Sequence, residues 1–304
     1  MRMAPIRCPL APRRAPEPST LFPAAASRGY SQNFMVNTSL SATESTAVPP
    51  LFELDQVRFD IGGTRLLDDI DLSISRECVT GLIGHNGSGK TSLMRLLARH
   101  HVQGGGSIRF DGKPIASWKP REFAQRVAHL PQYTPSTDGL LVRELVALGR
   151  YPWHGSLGIF GDDDHSQVEQ AMQMTDVSHY ADRLVDSLSG GERQRVWLAM
   201  LIAQDSRCLL LDEPTSALDI AHQVEVLDLV RTLCAQRSIA AVVVLHDINM
   251  AARFCDHIVA LRHGRILMQG TPGDIMTAPN LQAIYGVPMN VLRDPSGRVV
   301  GIPQ

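Results

Sequence analysis

The chain has 304 residues, of which 44% are hydrophobic and 20% charged, and its formal net charge is −2. This balance fits one globular domain with a satellite subdomain, and the small charge gives no indication of binding to nucleic acid or to an anionic membrane. The longest unbroken apolar run, Ile239 to Leu245, is far shorter than the roughly 20 residues of a membrane-spanning helix, so we expect the chain not to cross a bilayer by itself.

Residues 1–50 differ in composition from the rest of the chain. They are rich in Pro, Ala, Ser and Arg, and Glu17 and Glu44 are their only acidic residues. The Arg-rich, acid-poor composition is similar to that of an organellar transit peptide, but the lack of any sustained apolar period favours a disordered tail. A translation start at Met35 is a further interpretation that the sequence leaves open.

The folded part of the chain begins with patterns of β-structure. Phe52 to Phe59 alternates like a strand, Gly62 and Gly63 form a turn, and Leu66 to Ile74 predicts a further strand pair. Together these segments predict a small antiparallel sheet. Val79 to Ile83 is a short apolar run typical of a buried parallel strand, and Thr91 to His100 has the spacing of a helix.

The middle of the chain combines strands with a long helical stretch. Ser107 to Phe110 and Arg126 to Leu130 are the next predicted strands. The segment from Val142 to Met200 is mostly helical by its period, with a loop around Tyr151 to Asp164. Because this stretch interrupts the alternation of strands and helices, we interpret residues 133–200, approximately, as an inserted helical subdomain.

The alternation resumes after the insertion. Cys208 to Leu211 and Ala240 to Leu245 predict two buried strands, separated by a helix from Ile220 to Gln236. Such alternation predicts a parallel sheet with crossover helices. We place the main domain at residues 51–270 and a short extension, a helix and a hairpin that turns at Pro295 to Gly297, at residues 271–304.

A glycine-rich loop joins the strand that ends at Ile83 to the following helix. The loop matches G-x-x-x-x-G-K-[ST] at every fixed position. Its glycines let backbone N–H groups turn toward phosphates, and the start of the helix adds a positive end. We expect Lys90 to reach the β- and γ-phosphates of ATP and Thr91 to ligate Mg²⁺. The predicted nucleotide-binding residues here are Gly84, His85, Asn86, Gly87, Ser88, Gly89, Lys90, Thr91 and Ser92.

This loop completes the fold prediction. We expect an α/β protein with a P-loop NTPase (RecA-like) core and a mainly parallel sheet. An N-terminal antiparallel β subdomain and the inserted helical subdomain are added to that core. The loop alone does not distinguish a GTPase, a kinase or a transporter.

Polar residues follow three of the predicted strands. Asp212 is predicted to hold Mg²⁺, and Glu213 to act as the general base toward the attacking water. His246 is predicted to contact the γ-phosphate, although a lone His at a strand end is more often structural. Gln132 is predicted to ligate Mg²⁺ and to sense the γ-phosphate, although a lone Gln is a weak signal.

The segment Leu188 to Arg195 reads LSGGERQR. Ser189 and Glu192 have the spacing of a capping box, so a helix begins here, and the glycine pair leaves its first N–H groups open to an anion. An ordinary capped helix is the alternative. Because this helix start lies in the insertion, we expect it to be too far from Lys90 to share its nucleotide. The residues expected to bind the nucleotide of a second, head-to-tail copy are Ser189, Gly190, Gly191 and Gln194.

Taken together, the motifs resemble those of the ATP-binding cassette family over residues 51–304. The matching parts are the phosphate loop, Gln132, Leu188 to Gln194, Asp212 with Glu213, Ser216 to Asp219, and His246. The resemblance implies that ATP and Mg²⁺ hold two cassettes together as a homodimer, with Asp219 at the nucleotide. It further implies that hydrolysis releases them and drives a membrane permease through the helical subdomain.

Three segments are similar to the cassettes of bacterial iron-siderophore importers, most of all the ferric hydroxamate type: Gly149 to Gly155, Ala217 to Gln223, and Leu245 to Arg253. This implies an ATPase peripheral to the cytoplasmic face of the inner membrane. Its partners would be a transmembrane permease and, indirectly, a periplasmic or lipoprotein siderophore-binding protein, with no role for nucleic acid. Haem and cobalamin importers share this style of cassette. An exporter, or a soluble cassette acting on nucleic acid or ribosomes, is less favoured.

One position departs from the family pattern. The family usually places an aromatic ring under adenine just before the first glycine pair, and this position is Ile61 here. Phe59, two residues earlier and expected on the same strand face, is the predicted substitute.

Overall fold

The computed structural model describes residues 49–304 except 156, 157, 217 and 296. The predicted tail and the alternative start at Met35 therefore lie outside the described residues, apart from the last two positions of the tail. Residues 49–304 belong to one compact unit. No helix in the described part of the chain is long and apolar enough to span a membrane.

Most of the described strands lie where the sequence patterns predicted them. In chain order they are β1 (Phe52–Ile61), β2 (Thr64–Ile74), β3 (Val79–Ile83), β4 (Gly105–Phe110), β5 (Lys113–Pro114), β6 (Val127–Leu130), β7 (Cys208–Leu211), β8 (Ala240–Val244), β9 (His257–Arg262), β10 (Arg265–Gly270), β11 (Met289–Arg293) and β12 (Val299–Pro303).

Ten α-helices lie in the described part of the chain. In chain order they are α1 (Lys90–Leu97), α2 (Pro120–Ala124), α3 (Val142–Leu148), α4 (Tyr151–His154), α5 (Asp162–Met174), α6 (Gly190–Ala203), α7 (Ile220–Arg237), α8 (Ile248–Phe254), α9 (Pro272–Ile275) and α10 (Ala278–Tyr285).

A six-stranded sheet forms the centre, in the order β10-β9-β3-β8-β7-β6. All its neighbouring pairs are parallel except the edge pair of β10 with β9. Every residue of β3, β7 and β8 is buried, which explains their unbroken apolar runs, because a sheet covered on both faces has no polar side. The carboxyl ends of β3, β6, β7 and β8 lie at one edge, so the loops that follow them meet there.

The two faces of this sheet carry different layers. Leu82, Leu210 and Val242 pack with the first sheet and with α1, whereas Ile83, Leu209 and Val243 pack with the helical part of the chain. Neighbouring residues point to opposite faces because side chains alternate along a strand. The predicted α/β fold with a mainly parallel sheet is confirmed.

The first sheet is antiparallel, in the order β2-β1-β4-β5. One expectation for it is wrong: residues 66–74 form part of the single strand β2 rather than a strand pair. The β1–β2 ladder also contains register shifts, including shifts on both sides of Phe59. The shift between Leu54 and Val57 adds a residue to β1, so the buried positions change there from 52 and 54 to 57 and 59.

Helices fill the interval between β6 and β7, where the insertion was predicted. α3, α5 and α6 pack on one another, and their apolar side chains belong to the same buried cluster as one face of the central sheet. The helical insertion is thus continuous with the core through its packing. Its bounds as a separate subdomain stay a prediction.

The sequence patterns missed α8 and the pair β9 and β10, which complete the central sheet. β10 alternates between exposed and half-buried residues, so it lacks the apolar run that marks the inner strands. The predicted helix and hairpin at the C-terminus are present as α10 and β11–β12, and the turn contains residue 296, which lies outside the described residues.

Candidate functional site

The phosphate loop has a backbone that requires glycine. Gly84, Gly87 and Gly89 have positive φ angles of 141°, 77° and 105°, which L side chains rarely adopt. A Cβ atom on Gly84 would also lie 2.2 Å from the carbonyl oxygen of Leu261. The loop is therefore a tight turn between β3 and α1, as the motif predicts.

Lys90 is almost completely buried beneath this loop, with 5% of its surface exposed. Its Nζ atom donates to the carbonyl oxygens of Gly84 and His85, at 2.8 and 3.0 Å. Burial lowers the pKa of Lys90, while the nearby carboxylates of Glu213 and Asp212 act in the opposite direction. The ammonium is thus held within the loop whose N–H groups would cradle phosphates.

Oxygen ligands suited to a hard cation lie beside the loop. The Thr91 hydroxyl donates to Oδ1 of Asp212 at 3.4 Å, and Asp212 is 3% exposed. Burial raises the pKa of Asp212 because the charged form loses its hydration. The buried hydroxyl of Ser88 has no hydrogen-bond partner among the described residues. A hydroxyl and a buried carboxylate of this kind fit Mg²⁺, which prefers oxygen and few protein ligands.

Two predicted residues, Gln132 and His246, contact Glu213, and the three residues follow three different strands. The Oε2 atom of Glu213 accepts a hydrogen bond from Nε2 of Gln132 at 2.7 Å. Its Oε1 atom lies 2.8 Å from Nε2 of His246. Glu213 itself has a φ of 53°, in the left-handed region, which turns the chain sharply at the end of β7. Strained backbone of this kind occurs often at functional sites.

A cavity of about 340 Å³ joins these groups. Gly84, His85, Ser88 and Asp212 do not line it, and the His85 ring instead lies 6.0 Å from the ring of Tyr285. Its lining consists of Leu66, Asn86, Gly87, Gly89, Lys90, Thr91, Ser92, Gln132, Glu213 and His246.

A larger cavity, of about 610 Å³, lies at the amino ends of β6, β7 and β8. Its volume does not make it the better candidate, because three of its four arginines are already paired with carboxylates. Arg76 and Arg207 are paired with Asp111, and Arg237 is paired with Asp205. Gln132, Glu213 and His246 lie instead at the opposite, carboxyl edge of the same strands.

The signature segment lies at the start of α6, and no residue of Ser189 to Gln194 lines the 340 Å³ cavity. Its capping box is confirmed: Ser189 accepts from the N–H of Glu192 at 3.4 Å, and Glu192 accepts from the N–H of Ser189 at 2.8 Å. Tyr180 donates to the Glu192 carboxylate and, with the Ser189 contacts, lowers the pKa of Glu192 to about 2. Gln194 is partly buried in the same helix.

Asp219 lies at the start of α7, directly beside the signature. Its Oδ1 atom accepts from the N–H of His222 at 2.9 Å and lies 2.8 Å from Nδ1 of the same residue. These two contacts lower the pKa of Asp219. The imidazole of His222 in turn packs on Gly191. Ala217, in the same predicted motif, lies outside the described residues.

The prediction for Phe59 needs correction. Phe59 is 5% exposed, and its ring packs 5.2 Å from that of His101. Ile61, the last residue of β1, is 48% exposed, so the two side chains differ sharply in their access to solvent. The buried ring offers no open face on which adenine could stack.

Two residues of this region escaped the sequence reasoning. Tyr180 fixes Glu192 through its hydroxyl. The sequence around Glu192 gives no sign of this contact, because Tyr180 lies in a separate turn. His222 did have a signal: it follows the helix-capping Asp219 by three residues, the spacing at which a cap and its helix meet.

Comparisons with known proteins show the family of this chain. The family model for the ABC transporter domain matches residues 67–216. The chain is similar to the ferric enterobactin transport ATP-binding protein of Escherichia coli (strain K12), at 39% identity over 82% of this chain and 91% of the relative. It is also similar to the iron(3+)-hydroxamate import ATP-binding protein of Bacillus subtilis (strain 168), at 36% identity over 79% and 90%.

Haem importers occur among the relatives as well. The hemin import ATP-binding protein of Streptomyces coelicolor (strain ATCC BAA-471 / A3(2) / M145) is 39% identical over 81% of this chain and 88% of the relative. Among solved structures, the ADP conformation of an ATP-binding cassette from an ABC transporter covers 77% of this chain and 98% of that chain. Its TM-score is 0.70 at 20% identity, which supports the fold alone.

Proposed function

Because the chain belongs to the ATP-binding cassette (ABC) transporter family, we propose that it is the ATP-hydrolysing subunit of a bacterial importer of iron(III)–siderophore complexes of the ferric hydroxamate type. The observation that carries this proposal is the convergence of Gln132 and His246 on the two oxygens of Glu213 beside the phosphate loop. That arrangement supports hydrolysis of the bound nucleotide, beyond binding alone.

ATP is proposed to bind with its phosphates along residues 84–92. Lys90 supplies a positive charge, and exchanging its two carbonyl partners for phosphate oxygens would bring that charge onto the β- and γ-phosphates. Thr91 and Asp212 are the residues proposed to hold Mg²⁺, with Gln132 as a further ligand. The ion, when bound, supplies neutralisation of the charge that develops on the phosphate oxygens.

Glu213 is the proposed general base. A carboxylate can take a proton from water only if it is held in the right place and orientation. Gln132 and His246 each hold one of its oxygens, so the orientation of the carboxylate is fixed before the water arrives. His246 would reach the γ-phosphate from the same position, and its contact with Glu213 links base and phosphate.

A second copy of the chain is proposed to complete the site. The capped start of α6 takes no part in the phosphate cavity of its own chain, since Ser189 to Gln194 do not line it. Such a helix start suits an anion. A head-to-tail homodimer would bring Ser189, Gly190, Gly191 and Gln194 onto the γ-phosphate of the partner's ATP, with Asp219 close by.

The homodimer is tested with Glu213→Gln. This variant keeps the shape of the site but loses the base, so it should bind ATP, hydrolyse it at least about a hundredfold more slowly and accumulate as a dimer. Size-exclusion chromatography with and without ATP measures the dimer, and Lys90→Ala in the same background serves as a control that should stay monomeric. A Glu213→Gln protein that remains monomeric with saturating ATP would contradict the proposal.

The cargo is proposed from the relatives whose names include an iron–siderophore complex. Haem is the second candidate, because a hemin import protein shares a comparable sequence identity with this chain. Disruption of the gene, followed by growth with one iron source at a time, separates them. Loss of growth on ferric hydroxamates, restored by the wild-type gene and not by Glu213→Gln, is the expected result. If growth is lost on haem alone, the proposed cargo is haem and not an iron–siderophore complex.

Importer ATP-binding subunits work with transmembrane permeases, and we propose that this chain docks one at the cytoplasmic face of the inner membrane near Arg150 to Trp153. A groove of about 540 Å³ lies there, lined in part by Pro152. Tyr151 and Trp153 are 54% and 38% exposed, while Arg150 is buried against Asp164 at 2.8 Å. A photocrosslinker at Tyr151 should capture a membrane subunit, and capture only of soluble proteins would contradict this docking site. A periplasmic or lipoprotein siderophore-binding protein would act on that permease and not on this chain.

A further inference from the structure

The two glycines of the signature differ in what surrounds them. Neither Gly190 nor Gly191 has a positive φ angle, so the helical backbone would accept other residues at both positions. A Cβ atom on Gly190 would meet only Cδ2 of Leu218, at an ordinary contact distance of 3.7 Å. The backbone conformation therefore does not explain why either residue is glycine.

Gly191, unlike its neighbour, has no room for a side chain. A Cβ atom there would lie 2.5, 2.9 and 3.1 Å from Cδ2, Cγ and Nε2 of His222. Contacts below 3.0 Å force one group to move, because protein interiors are close-packed. The imidazole of His222 thus occupies the space that a side chain at Gly191 would need.

The His222 ring is held in this place from its other side. Its Nδ1 atom lies 2.8 Å from Oδ1 of Asp219, and the same oxygen caps the first turn of α7. The ring is therefore fixed between the start of α7 and the start of α6. Its Nε2 edge faces Gly191, and 38% of the side chain is exposed.

One chain segment, from Glu213 to Asp219, connects the His222 contact to the proposed general base. The N–H of Ser216 donates to the carbonyl oxygen of Glu213 at 3.1 Å. Leu218 then leads into Asp219, and its carbonyl oxygen accepts from Nε2 of Gln223 at 3.0 Å. A displacement of the segment after Glu213 would move Asp219 and the His222 ring together.

We propose that His222 is a positioning residue of the signature: its ring, held by Asp219, sets the position of the first turn of α6 relative to the segment that follows Glu213. Gly191 is then glycine to make room for a ring of its own chain, whereas Gly190 is glycine for the approach of a second molecule. This inference rests on the proposed two-copy site, because the signature acts there on the partner's nucleotide.

The test is a set of variants at these two positions in the full chain. Gly191→Ala should lower ATP turnover at least about tenfold, because the new methyl group displaces the ring and the helix start. His222→Ala should lower turnover less. The double variant Gly191→Ala with His222→Ala should recover to the level of His222→Ala, since the methyl group then fills the space the ring has left.

Two further measurements separate positioning from a general loss of structure. ATP affinity of the isolated chain should stay unchanged in all three variants, because the phosphate loop is untouched, while ATP-dependent dimerisation in the Glu213→Gln background should fall with turnover. His222→Asn, whose amide can still donate to Asp219, should retain more turnover than His222→Ala. Gly161→Ala is the matched control, because its Cβ would meet nothing within 4 Å.

The possible outcomes are distinct. A double variant as inactive as Gly191→Ala would overturn the inference, as would an equal loss of ATP affinity and turnover in Gly191→Ala. His222→Asn no better than His222→Ala would equally overturn the role of the Asp219 contact. Failure of the two-copy function is recognised separately, since Glu213→Gln alone would then form no dimer with ATP.

Discussion

The phosphate side of this protein and its signature side are built on opposite plans. On the phosphate side, Lys90, Gln132, Glu213 and His246 follow four different strands, and they contact one another or the loop within one cavity. On the signature side, Ser189 and Glu192 satisfy each other within a single helical turn, and this turn lines no part of that cavity.

The difference has a physical reason. Hydrolysis needs several chemical groups at one point, and here the carboxyl edge of the parallel sheet brings distant residues that close together. Recognition of a phosphate by a helix start needs open N–H groups and a cap, and the capping box lies within one short segment. The first side therefore depends on the whole fold, whereas the second depends on what is brought to it.

The largest expected effect breaks the phosphate side alone. Lys90→Ala should lower turnover at least about a hundredfold and weaken ATP binding, because a buried charge that faces the phosphates is lost. ATPase assays and ATP titrations measure both. Lys119→Ala, at a side chain that is 82% exposed, is the matched control and should behave as the wild type; retained turnover in Lys90→Ala would refute the assignment of the loop.

Within the phosphate side, His246→Ala separates chemistry from binding. Turnover should fall about a hundredfold because Glu213 loses the partner at 2.8 Å and the phosphate loses a donor. ATP affinity should change little, since the loop around Lys90 is intact. The exposed His165 provides the control substitution to Ala. A parallel loss of affinity and turnover would show that His246 has a structural role only.

Gly190→Ala tests the dependence of the signature side on a second molecule. In the isolated chain the new methyl group has room and the backbone of Gly190 has no positive φ angle, so the melting temperature should hold. Turnover should nevertheless fall about tenfold, because the partner's phosphate must approach the same turn closely. Undiminished turnover would mean that nothing approaches Gly190 in the working enzyme.

The smallest effect concerns the cap of the signature helix. Since the folded pKa of Glu192 is about 2 against an ordinary 4.5, its stabilising contribution is complete above pH 4.5 and is lost as the pH falls toward about 2. Glu192→Gln should therefore lower the melting temperature by a few degrees at pH 7, and the gap to the wild type should close across that acid range. A gap independent of pH would contradict the proposed charge effect.

Much of the central sheet was predictable because its strands carry unmistakable patterns. β3, β7 and β8 lie where the apolar runs end in glycine, in acids or in histidine. α8 and β9 were missed although β9 contains a buried apolar run, Ile258 to Leu261. β10 was missed because its residues alternate between exposed and half-buried, and its place is set by pairing with β9. The strand pair expected at residues 66–74 proved to be one strand, because pairing with β1 extends along its whole length.

The sequence by itself determined the family and the residue types of the site, because phosphate binding and the capped signature are local in the chain and leave motifs. Only the tertiary structure decided that Gln132 and His246 hold Glu213, that Phe59 is buried against His101, and that His222 fills the space beside Gly191. These relations join residues far apart in sequence. Spacing along the chain carries no record of them.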